Sequence, residues 1–237
     1  MANKTITQLD TAQSLNDNMV IAVQDTNTTY KTTLADVKAY CGGRDAYKVG
    51  DRVKDDSNND VGMVSGFFTD ANDQKYAVVC LNAVDRLLEG YYLGSSDNVN
   101  DIPNYTNLAV WSAPETATTN TTAILATGTS SACTHCRSKA YTIGGVAYSG
   151  QLPNIAELVD IFRMRIKINA DDPTASSYPT LIIPDGSAGG ATGNWLSSTQ
   201  QNSYNMWRTT LDGNIQSGTK TQRNFRVAPV LEIPLED

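Results

Sequence analysis

Trp195-Leu-Ser-Ser-Thr199 is followed by the polar run Gln200-Gln-Asn-Ser-Tyr-Asn205 and then by Met206-Trp207. Arg208-Thr-Thr-Leu-Asp-Gly-Asn214 follows, then a second polar run over Gln216–Asn224, then Phe225-Arg-Val-Ala-Pro-Val230. Alternating apolar and polar residues broken by a turn dipeptide are the mark of half-buried strands. The pattern predicts an antiparallel meander anchored by Trp195, Trp207, Leu211, Val227 and Val230. Asp212-Gly213 supplies a hairpin turn, and the polar residues between anchors face outward. Polar runs of this length pinned by tryptophan suit a surface held rigid from beneath.

Upstream, Val61–Phe68 and Lys75–Asn82 read as a hairpin around the turn Thr69–Asp73. Residues 94–131 read as loop, with Thr116–Thr122 a polar insertion broken upstream by Leu108–Ser112. The clearest helix lies in 152–168: Pro153 stands at its first turn, and Ile155, Leu158, Val159, Phe162 and Ile166 form one stripe. Pro184–Gly193 is glycine-rich. It runs into a strand where a phosphate loop would open a helix.

This C-terminal pattern resembles the closing strands of C-type-lectin-like domains, which include the variable proteins of diversity-generating retroelements and the formylglycine-generating-enzyme branch. Lys48-Val-Gly-Asp51, the Gly62–Leu81 hairpin, Trp111 and Leu152-Pro-Asn-Ile-Ala-Glu-Leu158 extend the resemblance over about residues 45–234. The family's Trp-Ser-Ser is Trp195-Leu-Ser-Ser198 here, and its Val-Arg-Pro-Val is Arg226-Val-Ala-Pro-Val230. The calcium motifs of sugar-binding animal lectins are absent. The resemblance implies an α+β, C-type-lectin-like fold over 44–237, preceded by a small N-terminal segment, 1–43. That segment places Ile6-Thr-Gln-Leu9 before strands at Met19–Val23 and Tyr30–Thr32 and a helix over Thr33–Tyr40. It is similar to the N-terminal segment of phage tail-fibre proteins and too short to bury a core alone.

Diversification of such variable proteins replaces adenines, mostly in AAC-like codons. These become Asn, Ser, Tyr, Asp, Thr, Arg, Phe or Ile, but not Trp, Met, Gln or Lys. Residues of the permitted kind on the polar runs are Ser203, Tyr204, Asn205, Arg208, Thr210, Asp212, Asn214, Ser217, Thr219, Thr221, Arg223 and Asn224. They are the candidate ligand-binding set, and a tyrosine and arginines among asparagines is a plausible paratope composition. Scaffold positions are Trp195, Ser197, Ser198, Met206, Trp207, Gly213, Arg226 and Pro229. If the set is a paratope, Tyr204, Asn205, Arg208, Asp212, Asn214, Thr219, Arg223 and Asn224 are expected on one exposed surface.

The 237 residues carry 18 Lys+Arg against 25 Asp+Glu, a formal charge of -7, with no basic cluster. Nucleic acid is therefore an unlikely partner. No apolar run approaches the roughly 18 residues of a membrane span, and the N-terminus has no apolar signal region. Neither export by a standard signal nor membrane insertion is expected. The resemblance then implies assembly in a host cytoplasm onto a virion tail. The expected partners are virion tail proteins through the N-terminal segment and a host cell-surface protein or glycan, with self-association a further possibility. The alternative is a non-diversified structural virion or surface protein of the same fold.

Enzyme chemistry finds no footing. The formylglycine-generating reaction needs reactive cysteines deep in the C-terminal half, and the four cysteines, Cys41, Cys80, Cys133 and Cys136, end at 136. The single histidine, His135, lies between two cysteines without an oriented triad. Cys133-Thr-His-Cys136 has metal-like spacing, but a structural zinc takes four ligands and no second pair is visible. Free thiols or one local disulfide are the other readings, and Cys80 reads as a buried small hydrophobe. Asp56-x-Asn58-x-Asp60 fails as a calcium loop, having Val61 and Phe67 where glycine and glutamate belong. Neither metal nor cofactor is expected.

Overall fold

The computed structural model describes residues 20–24, 29–33, 47–95, 97–106, 115–183, 194–210 and 213–235. The chain divides into two compact units, Met1–Tyr47 and Lys48–Asp237. In the first, β1 (Val20–Gln24) and β2 (Thr29–Thr33) form an antiparallel hairpin with Val20 opposite Thr33. The helix expected over Thr33–Tyr40, together with Cys41, Leu108–Ser112 and Pro184–Gly193, lies outside the described residues.

The second unit is α+β. Its first sheet has the order β13-β5-β4-β3, all antiparallel, from β3 (Arg52–Lys54), β4 (Asp60–Thr69), β5 (Lys75–Leu81) and β13 (Val230–Pro234). The β4–β5 hairpin turns on Asp70, whose carboxylate accepts the amides of Asn72 and Gln74 at 2.8 and 2.9 Å. Every residue from Tyr76 to Leu81 is buried, which is why β5 reads as a continuous apolar run rather than an alternation.

The second sheet has the order β11-β10-β9-β12-β6. It uses β6 (Leu87–Gly90), β9 (Trp195–Gln200), β10 (Asn205–Thr209), β11 (Ile215–Thr219) and β12 (Phe225–Val227). At β9 and β12 both of its faces are covered. Trp195 and Trp207 join one core with Met63, Ile155, Phe162 and Val230. Their neighbours Leu196 and Met206 join the other with Ile124, Cys133, Phe225 and Val227. Successive side chains of a strand point to opposite faces, so each Trp-Leu or Met-Trp pair feeds two cores.

The expected meander holds for β9, β10 and β11 and then fails. Strand β12 lies beside β9 and parallel to it, with Arg226 opposite Trp195. Because β11 also runs parallel to β9, residues 220–224 carry the chain across the sheet. Strand β13 then leaves for the first sheet. A local apolar pattern sets which residues are buried but not which strand becomes the neighbour.

Helix α1 (Ala117–Thr127) overturns the reading of Thr116–Thr122 as a polar insertion. Thr116 caps it by accepting the Thr119 amide at 3.1 Å. The carboxylate of Glu232 accepts the amides of Ala117 and Thr118, at 2.6 and 2.9 Å. Threonine is a poor helix former, but tertiary contacts override so weak a preference: Asn120 and Thr121 are buried and bonded, and Ala117 and Ile124 are fully buried.

Helix α2 (Ser131–Arg137) holds the Cys-x-x-Cys pair. Both thiols are free and buried. Desolvation pushes Cys133 up to about 12 and Cys136 well above the usual thiol range. His135 Nε2 lies 2.7 Å from the Asp85 carbonyl. Cys80 is free and buried as well. Among the described residues no three His, Cys, Asp or Glu side chains form a metal-holding group, and no helix is long and apolar enough to cross a membrane.

Helix α3 (Ile155–Arg163) opens on a capping box: Asn154 accepts the Glu157 amide, and Glu157 accepts the Asn154 amide, both at 2.9 Å. Pro153 precedes this cap. Ile155, Leu158, Val159 and Phe162 are buried as the stripe predicts, but Ile166 is 69% exposed. The helix stops at Met164 and restarts as α4 (Arg165–Asp171). That break resets the phase, and Ile168 takes the buried position. A last hairpin, β7 (Ala140–Ile143) with β8 (Val146–Ser149), completes the unit.

Candidate functional site

The ground beneath the candidate surface is a bulge in β9. Met206 pairs with Gln200 and Arg208 with Leu196, so Ser197, Ser198 and Thr199 together face Trp207. A bulge frees backbone and side-chain groups from the ladder, and here each finds another element. Ser197 Oγ donates to the Trp207 carbonyl at 2.6 Å. The Ser198 amide donates to Pro153 at 2.7 Å, and its carbonyl accepts Tyr92 Oη at 3.1 Å. Its hydroxyl accepts from Asn120 Nδ2 at 3.2 Å. Thr199 Oγ1 accepts the Ile155 amide at 2.9 Å. Three small polar residues thus join α1, α3 and β10 while buried.

The other scaffold residues are similarly committed. Trp195 is fully buried and edge-on to Phe162 at 6.2 Å. Trp207 is 6% exposed and donates its ring N–H to the Tyr105 carbonyl at 2.8 Å. Arg226 is buried, with its guanidinium on the Thr180 carbonyl. Gly213 sits at φ +78 in a turn closed by Thr210 and Asn214, facing Phe162. Only glycine adopts that conformation without strain.

Of the candidate ligand-binding residues, Tyr204, Asn214, Ser217, Thr219, Thr221, Arg223 and Asn224 are exposed, and Ser203, Asn205, Arg208 and Thr210 are half-buried. Asp212 lies outside the described residues. They do not all share one face. In the β10–β11 register Asn205 opposes Thr219 and Trp207 opposes Ser217, while Arg208 opposes Gln216 and Met206 opposes Gly218. Alternation therefore sends Asn205, Ser217 and Thr219 to the Trp207 side and Arg208 to the other. There Arg208 lies along Gly218, 5.6 Å from the Phe225 ring, with Nε donating to the Ser217 carbonyl at 3.0 Å.

Gln200, Gly218 and Lys220 within the polar runs are buried, contrary to the expectation that these runs face outward throughout. Gln200 and Lys220 are both fully buried. Gln200 Nε2, which has two hydrogens to donate, lies within hydrogen-bond distance of four oxygens: Asn98 Oδ1, Val99 O, Ile102 O and Asn104 Oδ1, at 2.9–3.3 Å. Its Oε1 accepts the Val99 amide at 2.9 Å and the Lys220 ammonium. Lys220 Nζ also donates to the Asp97 carbonyl at 2.9 Å and lies 5.6 Å from the Tyr92 ring. Burial pulls this amine down to about 8, opposed by the Asp97 charge. One signal was available: glutamine and lysine fall outside the residues that AAC-like codons yield, so neither belongs with the changeable positions.

Arg223 stacks 5.0 Å from the ring of Tyr91. Tyr91 borders an open groove of about 620 Å³ that Leu87, Glu89, Leu125 and His135 also line. The crossover thus lies at the rim of a concave surface, and Tyr204, 66% exposed, projects where the crossover begins, its carbonyl accepting the Lys220 amide at 3.0 Å.

No protein-family model, no curated protein and no solved structure matches this chain.

Proposed function

We propose that this chain is a ligand-binding protein and not an enzyme. In this reading the second unit is a C-type-lectin-like domain, of the kind a diversity-generating retroelement varies. Its surface around β10, β11 and the crossover recognises a host cell-surface protein or glycan. The N-terminal segment joins it to a virion tail, assembled in the host cytoplasm. The observation that carries the reading is the contrast along 203–224. Every described candidate position is exposed or half-exposed, while Met206, Trp207, Thr209, Gly218 and Lys220 among them are buried. A surface can accept many side chains only when the strands beneath are held by other residues, and exposed substitutions usually shift stability by less than about 0.5 kcal/mol.

Arg208 favours the second reading, a fixed structural protein, at its own position, because its contacts to Phe225 and Ser217 resist free replacement. Sequencing the 195–230 coding stretch in independent isolates separates the two readings. Diversification predicts substitutions at adenine-bearing codons of Tyr204, Asn205, Ser217, Thr219, Arg223 and Asn224, with Gln200, Trp207 and Lys220 unchanged. Silent changes spread evenly along the stretch contradict it.

A further inference from the structure

Three segments meet at one end of the second sheet: the turn Gln201–Tyr204, the start of the crossover after Lys220, and the loop Asp97–Thr106. The Lys220 amide donates to the Tyr204 carbonyl at 3.0 Å, and the Tyr105 amide donates to the Gln200 carbonyl at 3.1 Å. Beneath them Gln200 and Lys220 are bonded to each other and to five oxygens of residues 97–104. We propose that Asp97–Thr106 is a fixed third wall of the recognition surface, and that Gln200 and Lys220 are the positioning residues that set it beside the changeable positions. The proposal rests on the recognition reading above.

A loop without regular structure does not hold one shape unless its backbone groups are bonded. Here the Asp97 carbonyl, both backbone groups of Val99 and the Ile102 carbonyl meet the side chains of Gln200 and Lys220, while the Tyr105 amide meets the Gln200 carbonyl. The same loop is tied to the face a second time, where Trp207 donates to Tyr105. Asn100, Asp101, Pro103 and Thr106 are exposed. Asn100 Oδ1 accepts Asn98 Nδ2 at 3.1 Å, leaving its own amide N–H groups to solvent, and the Asp101 carboxylate has no hydrogen bond or ion pair among the described residues. At the same end of the sheet Tyr204, joined to Lys220 through its carbonyl, offers an exposed aromatic ring, the residue type that anchors protein contacts. The wall adds a carboxylate and an amide. It therefore fits a protein partner that presents basic or N–H donor groups around an apolar cleft for Tyr204.

Two experiments test this on the full chain. In the first, hydrogen exchange is followed by mass spectrometry in Lys220→Met and Gln200→Met. Methionine keeps the side-chain volume; Lys220→Met removes the buried amine, and Gln200→Met leaves that amine with the Asp97 carbonyl. Peptides covering 97–106 are expected to exchange on the order of tenfold faster while those covering α3 are unchanged. Unchanged exchange over 97–106 overturns the clamp.

In the second, fluorescently labelled chain is titrated onto intact bacterial cells to which the parent attaches. The double variant Asn100→Ala, Asp101→Ala should attach on the order of tenfold more weakly at an unchanged melting temperature. Full attachment by this variant, while Tyr204→Ala with Thr219→Ala loses it, overturns the wall and leaves the recognition face standing. Full attachment by both overturns both.

Discussion

Ser197 donates its hydroxyl to the carbonyl of Trp207 at 2.6 Å, across the bulge that sets three residues of one strand against one of the next. Both residues are buried, so neither group has water as a substitute. Ser197→Ala should cost about 1–3 kcal/mol, the penalty for leaving a buried acceptor unpaired. Urea unfolding measures it, and a loss within error of zero would show that the bulge does not depend on this bond.

Trp207 anchors the candidate surface from below. Trp207→Ala should lower stability by about 3–5 kcal/mol, as large-to-small core changes do. It also removes the donor to Tyr105, so loop 97–106 should lose protection from exchange in the same variant. An unchanged melting temperature would move Trp207 out of the core.

Glu157 is fully buried where α3 begins, bonded to Tyr76 and to the Asn154 amide and facing Glu232. Burial first and the Glu232 charge second raise its carboxyl well above the usual carboxylate range. A folded-state value above the unfolded value means that stability is fully present below the unfolded value, near 4.3, and is lost as pH rises through the folded value. The unfolding free energy should therefore fall as pH climbs above about 4.3. Glu157→Gln, which keeps an acceptor and removes the charge, should flatten that fall. Equal slopes for the two proteins in urea titrations would contradict the assignment.

The buried thiols give a further check. With Cys133 and Cys136 buried and raised by desolvation, thiolate is scarce and access closed. An alkylating reagent at neutral pH should modify both only at the rate of unfolding. Rapid labelling of the native chain would place them at the surface.

Much of this architecture was legible because local signals agreed with each other. Asn154 and Glu157 around the Leu158–Phe162 stripe make a helix start hard to mistake, and the β4–β5 hairpin follows from apolar runs around Asp70–Gln74. Helix α1 was hidden because its threonines and Asn120 carry no apolar period; their partners, Ser198 and Leu152, lie far along the chain. The parallel seat of β12 beside β9 is a choice of neighbour that no local pattern records. On the candidate surface, Trp195, Trp207 and Gly213 could be read as scaffold directly. The division of Asn205 from Arg208 needed the strand phase after the bulge, and the burial of Gln200 and Lys220 needed loop 97–104 to fold over them.

On the proposed reading, the exposed residues of 203–224 recognise a ligand while the strands beneath do not depend on them. The most direct test of that reading replaces Tyr204, Asn205, Thr219 and Arg223 with alanine together and measures two things, the melting temperature and attachment to the cells the parent recognises. Each exposed change should cost less than about 0.5 kcal/mol, so the variant should melt close to the parent and fail to attach. A variant that unfolds, or one that melts normally and still attaches, contradicts the account.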